Sequence, residues 1–200
     1  MTWLKPFMAF LRNNSRFLAV FTAVSGVLYP FIVYMLLGKV PASLFVLLGF
    51  GLILCRITVI RNSPLAGQLL PSLIIMAISI AGLSLMEGEI AAKLYPIVVG
   101  LGMALAFGRS LWSPSPLIQT FASFTTPSPS VAARAYMRKV TWVWTVFLLI
   151  NASLSLITLL YGDIVLWTLY NGLLSYILMG LLFAGEWIIR QRVMRNETPT

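Results

Sequence analysis

The sequence predicts an all-α fold: a polytopic membrane helical bundle of about six transmembrane helices, forming a single integral domain over residues 1–200. Three observations predict it. Hydrophobic residues make up 60% of the chain and charged residues only 10%, against roughly a quarter charged in soluble proteins. Several apolar runs reach about twenty residues, the length that crosses a hydrocarbon core of roughly 30 Å. The basic residues gather between those runs rather than along them. The longest polar stretch, from Arg109 to Lys139, is too short to enclose a soluble core of its own.

Hydropathy places the spans at about 17–37, 42–60, 68–86, 90–108, 140–161 and 164–186. The opening "MTWLKPFMAFLRNNSR" sets basic residues ahead of an apolar run, as a signal peptide does. That run is long and lacks a small-residue cleavage site, so an uncleaved first span is expected. Arg56 and Arg61 crowd the end of the second span. Pro30, Pro71 and Pro96 fall inside spans, which membrane helices tolerate when neighbours satisfy the freed backbone groups. Turn signals at Gly38–Pro41 and Gly162–Asp163 close the first and second spans, and the fifth and sixth, into hairpins. "LYP" occurs at Leu28–Pro30 and again at Leu94–Pro96, but little else matches between the halves. We read it as shared composition rather than an inverted repeat.

Orientation follows from the lysines and arginines. With a cytoplasmic N-terminus, Lys5, Arg12, Arg16, Arg56, Arg61, Arg109, Arg134, Arg138, Lys139, Arg190, Arg192 and Arg195 lie inside, leaving only Lys39 and Lys93 of the 14 outside. The positive-inside rule therefore predicts both termini in the cytoplasm. The external turns carry Glu87, Glu89 and Asp163. The net charge of +9 sits at helix ends, where it orients the chain and meets anionic membrane lipids; no nucleic-acid partner is expected.

The cytoplasmic loop 109–139 holds two Ser-Pro clusters around a short amphipathic piece in which Leu117, Ile118, Phe121 and Phe124 share a face. That face and Trp112 suit the inner headgroup layer. "VAARAYMRK" is expected to start a helix running into the fifth span, with Arg134 and Arg138 on one side. Arg134, Arg138, Lys139, Arg190 and Arg192 then form either a solvated collar or a contact surface for partners or anionic lipid.

Polar side chains within lipid are costly and usually face protein. Asn151, Ser155 and Thr158 share a face of the fifth span. Asn171 and Ser175 do so in the sixth, with Leu182 and Glu186 continuing the stripe. Residues equidistant from the Gly162–Asp163 turn lie at one depth, which sets Asn151 near Ser175 and Ser155 near Asn171. This polar seam is read as an interhelical staple; the alternative, a substrate-lining seam, requires a hydrated cavity. Gly180 and Ala184 make a small-xxx-small pair suited to close helix approach. Glu186 and Arg190 have the spacing of an interfacial helix ion pair.

The absence of histidine removes His-based triads, His-ligated zinc, diiron boxes and haem ligation by His. Cys55 is the only cysteine, so neither an intrachain disulfide nor a multi-cysteine metal site is possible. The five carboxylates, Glu87, Glu89, Asp163, Glu186 and Glu197, lie at or beyond span ends. Acid/base or metal chemistry needs at least two converging. No catalytic residue, metal or cofactor is expected, and the "NET" sequon at 196–198 falls on the cytoplasmic side.

"LYPIVVGLGMALAFG", "SPLIQTFA", "YMRKVTWVWTVFLLINASLSL" and "WTLYNGLLSYILMGLLFAGEWIIRQRV" together cover much of residues 90–195. In these the chain resembles the uncharacterised bacterial inner-membrane proteins encoded with aryl-polyene pigment gene clusters; "LYPFIVYMLL" extends the likeness loosely to the first 60 residues. More distantly it is similar to the intracellular septation protein A family, where a "PLIQ" loop also precedes a Trp/Phe-rich span containing Asn. The resemblance implies a multi-pass protein of the bacterial inner (cytoplasmic) membrane serving cell-envelope biogenesis. It would be a non-enzymatic scaffold or accessory for other envelope or polyketide-assembly proteins, in aryl-polyene lipid assembly or export. It carries over no catalytic residue. Where that family has an acidic and a basic residue in the loop, this chain has Gln119 and Ala122. The alternative function, from another class, is a small transporter or lipid-handling protein using the seam.

Overall fold

A computed structural model describes residues 28–195, apart from 29–30, 33, 37–38, 42, 84, 86–87 and 124–128, with backbone only at 46, 88 and 193–195. The elements are α1 (Ser43–Ile60), α2 (Ala66–Leu83), α3 (Gly88–Ser110), the short α4 (Leu117–Ala122), α5 (Val131–Tyr161) and α6 (Ile164–Leu169). A π-helical turn (Tyr170–Leu174) then leads into α7 (Ser175–Arg195). Among the described residues, five helices are long and apolar enough to cross a membrane, with α6, the π turn and α7 acting as one. The protein is accordingly of the multi-pass α-helical membrane class. The helices fall within a few residues of the expected second to fifth spans, except that α5 begins nine residues earlier, at Val131. Of the expected first span, 28, 31–32 and 34–36 are helical, and the rest lies outside the described residues.

Local chemistry explains the boundaries. Ser130 caps α5, its Oγ accepting the Ala133 N–H at 3.0 Å, the usual satisfaction of an orphan helix donor. Gly162 ends it at φ +86°, its N–H donating to Leu159 O at 3.1 Å, a left-handed cap that glycine adopts without Cβ strain. Asp163 starts the next helix, its Oδ1 accepting from Val165 at 2.7 Å and Leu166 at 3.2 Å. The 31 residues of α5 extend about 46 Å, longer than a hydrocarbon core of roughly 30 Å.

Packing runs in series: α1 on α2, α2 on α3, and α3 on α5, with α1 also reaching α3. Small residues allow the closest approaches. A Cβ at Gly102 would sit 2.2 Å from Met76, one at Gly100 3.2 Å from Ala152 Cβ, and one at Gly108 3.3 Å from Thr145 Cγ2. Gly100, Ala104 and Gly108 recur every four residues and form the face of α3 turned to α5. This corrects the expectation for Gly180 and Ala184. Both are exposed, and nothing approaches a Cβ at Gly180 within 4 Å. Trp144 of α5 closes the interior, its ring tilted at 6.1 Å from Phe107 of α3 and 4.4 Å from the Phe183 ring of α7.

The antiparallel course sorts the charges. One end of the bundle gathers Arg61, Arg109, Arg134, Arg138, Lys139, Arg190 and Arg192. The opposite end holds Lys39, Glu89, Lys93 and Asp163.

Candidate functional site

The polar seam centres on the π turn. Ser155 Oγ donates to Asn171 Oδ1 at 2.6 Å, both buried, which is the pairing that hairpin register predicts. Asn171 Nδ2 donates to Trp167 O at 2.9 Å. The Ser175 N–H bonds Tyr170 O, five residues back. In an α-helix it would have used Asn171 O, and that carbonyl instead takes the Ser175 hydroxyl at 3.3 Å. The side chains thus stabilise the wider turn that the backbone adopts. Gly172 lets the Phe31 ring approach, where a Cβ would lie 2.8 Å away.

The second expected pairing is not formed. Asn151 Oδ1 accepts from the Tyr170 hydroxyl at 2.9 Å rather than from Ser175, because the long phenol reaches a full turn that a serine cannot cover. Tyr170 is therefore a seam residue that the sequence reading missed. Its signal was present: a tyrosine adjacent to an intramembrane Asn. The seam side chains bond directly to one another and to backbone, as a staple does. Next to it, Trp167 Nε1 and Thr168 Oγ1 are buried without a hydrogen-bond partner among the described residues.

The basic end is an ordered platform. Arg138 donates through Nη1 to Leu111 O at 2.5 Å and through Nη2 to Ser113 O at 3.3 Å. Gln68 Nε2 donates to Ser115 O at 2.7 Å and Thr120 Oγ1 at 2.9 Å. The buried Ser110 Oγ donates to Phe107 O at 2.7 Å and accepts from Leu117 N–H at 3.0 Å. These bonds clamp the chain 110–120 across the ends of α2, α3 and α5. Leu117 is fully buried beneath it, Phe121 is exposed and Trp112 is 84% exposed; Phe124 lies outside the described residues.

The five basic residues assigned to contact divide. Arg138 spends its guanidinium on loop carbonyls, and Arg134 donates to Pro129 O at 3.1 Å. Lys139 and Arg192 are exposed, and Arg190 is half-buried. The expected Glu186–Arg190 ion pair is not closed: the only salt bridge among the described residues is Lys93–Glu89 at 2.6 Å. The Glu186 backbone carbonyl instead accepts from the Tyr136 hydroxyl at 3.3 Å, tying α7 to α5. The expectation took helical spacing alone, whereas α5 approaches that turn.

Arg56 lies one turn before the end of α1. Phe45, Leu52 and Ile53 bury the core-facing side of α1, and Arg56 continues the Phe45–Gly49–Leu52 stripe at half-burial. Among the described residues no group of three or more potential metal ligands converges.

No protein-family model, curated protein or solved structure matches the chain.

Proposed function

We propose that this chain is a non-enzymatic accessory or scaffold protein of the bacterial inner membrane, acting in cell-envelope biogenesis. It crosses the membrane six times with both termini in the cytoplasm, and its basic end meets membrane-associated partners and anionic headgroups there. The observation that carries this reading is the clamped loop at the basic end. Arg138 and Gln68 hold it rigid, and it presents Trp112 outward beside exposed Arg109, Arg134 and Lys139. A preformed aromatic and basic surface loses little conformational entropy on contact, and tryptophan and basic residues favour the headgroup layer. The likeness to proteins encoded with aryl-polyene clusters makes the machinery that assembles or exports such a lipid the partner to test first.

The seam supports this reading over the transport alternative, since Ser155 and Asn171 bond directly at 2.6 Å. The experiment is charge reversal of Arg134, Lys139, Arg190 and Arg192, leaving Arg138 in place because it clamps the loop. Co-purification of envelope and polyketide-assembly proteins with the reversed chain is expected to fall severalfold. Unchanged recovery of every partner would overturn the proposal. Reporter fusions after residue 200 and at 162–163 are expected to read cytoplasmic and external, respectively.

A further inference from the structure

The basic end carries a more specific arrangement where α3 meets α5. Gly100 faces Ala152 and Gly108 faces Thr145, so the two helices run antiparallel. Arg109, Leu105 and Leu101 form the next row round α3, about 100° from Gly108, Ala104 and Gly100. On α5, Arg138, Trp142 and Val146 recur every four residues beside Thr145. Each row is turned from the contact in the same rotational sense along its own chain, and antiparallel helices then set both rows on one side of the contact. All of these side chains are exposed. The rows therefore border an open groove with an arginine from each helix at its head.

The loop after α3 joins the two arginines. The N–H groups of Leu111, Trp112 and Ser113 donate to Gly108, Arg109 and Ser110 O at 3.1, 3.2 and 3.0 Å. Side chains three apart eclipse in such turns, which sets the exposed Trp112 over Arg109. Arg138 donates to Leu111 O and Ser113 O, so its guanidinium spans the Trp112 peptide. Those bonds fix the fork and leave its other N–H donors for a ligand. Among the described residues no carboxylate faces the pair. Glu89 and Asp163 lie at the opposite end of the bundle, and Glu186 packs by Tyr136, about 200° round α5 from Arg138. A fixed fork of N–H donors suits phosphate. Leu105 and Trp142 lie four residues, about 6 Å, deeper than the arginines, so the apolar groove continues from the cationic head as acyl chains continue from a headgroup.

We propose that Arg109, Arg138 and Trp112 hold the phosphate of an anionic phospholipid whose chains lie in the groove between α3 and α5. This site rests on the reading that the basic end meets anionic headgroups, and it uses Arg109, which the charge reversal above leaves in place.

The test is native mass spectrometry of the full chain in detergent, titrated with phosphatidylglycerol, phosphatidylcholine or inorganic phosphate. The wild type is expected to retain phosphatidylglycerol in preference to phosphatidylcholine. Arg109→Gln leaves the loop clamp intact and is expected to weaken that retention about fivefold. Arg138→Lys keeps the charge but loses the fork, so a loss of about threefold is expected. Arg192→Gln, on α7, should leave retention unchanged. Wild-type retention in Arg109→Gln would overturn the proposal, as would equal retention of phosphatidylcholine. Displacement of the lipid by millimolar inorganic phosphate would also overturn it, by assigning the arginines to a soluble anion. A loss in Arg192→Gln as large as that in Arg109→Gln would spread the binding over the whole basic end, removing this site and leaving the general reading. Unchanged partner recovery after the charge reversal, with lipid retention still dependent on Arg109, would instead remove the scaffold and keep the lipid site.

Discussion

Asn171 joins the two helices of the last hairpin through its Oδ1, which accepts from Ser155, while its Nδ2 donates within its own helix to Trp167 O. In lipid each such contact is worth roughly 0.6–2 kcal/mol. Ser155→Ala leaves the Asn171 oxygen unsatisfied, so its cost should exceed that of removing both partners together with apolar replacements. A double-mutant cycle of Ser155→Ala and Asn171→Leu, read by thermal unfolding in detergent, should give a coupling of about 1 kcal/mol. Additive losses would show that the 2.6 Å bond adds nothing. Lys93–Glu89 is the contrasting case: Glu89 is 60% exposed and the pair is helical i,i+4, worth about 0.3–0.5 kcal/mol. Glu89→Gln should leave the unfolding temperature unchanged within error. At this scale the sequence was partly legible. Ser155 and Asn171 could be paired by counting residues from the turn, but Asn151 could not, because the length of the Tyr170 side chain, not the count, selects its partner.

Elements depend on features that single residues do not display. The π turn takes up one extra residue within the α6–α7 helix, so deleting Leu173 should restore an α-helix with α7 in nearly its present register. Phe183 and Trp144, now 4.4 Å apart, should stay in contact and the tryptophan fluorescence should be kept. An altered spectrum would mean that the turn itself orients α7. The α2–α3 contact gives a second case. Gly102→Val is expected to destabilise by about 1–3 kcal/mol through overpacking against Met76, and Met76→Ala in the same chain should recover part of the loss. The loop clamp is testable by protease. Arg138→Ala removes the bonds to Leu111 and Ser113, so cleavage after Arg109 should become severalfold faster. Helix extents were readable from hydropathy and capping residues. The π turn was not, since Tyr170–Leu174 has nothing in its composition that separates it from an ordinary helical turn.

Across the whole molecule, charge and apolarity act together. Five apolar helices and an end that collects most of the described basic residues follow from one constraint, the cost of placing charge in hydrocarbon. Because that constraint acts on each segment separately, the class of the protein, its helix boundaries and its basic end were legible in the amino-acid order. The contacts between helices were not, because they depend on how segments far apart in the chain meet. Arg138 reads as one more positive charge until Leu111 and Ser113 are brought beneath it. Gly102 reads as one more small residue until Met76 packs against it. Polarity decides which residues enter the membrane; ångström-scale fit between helices decides which of them find each other there.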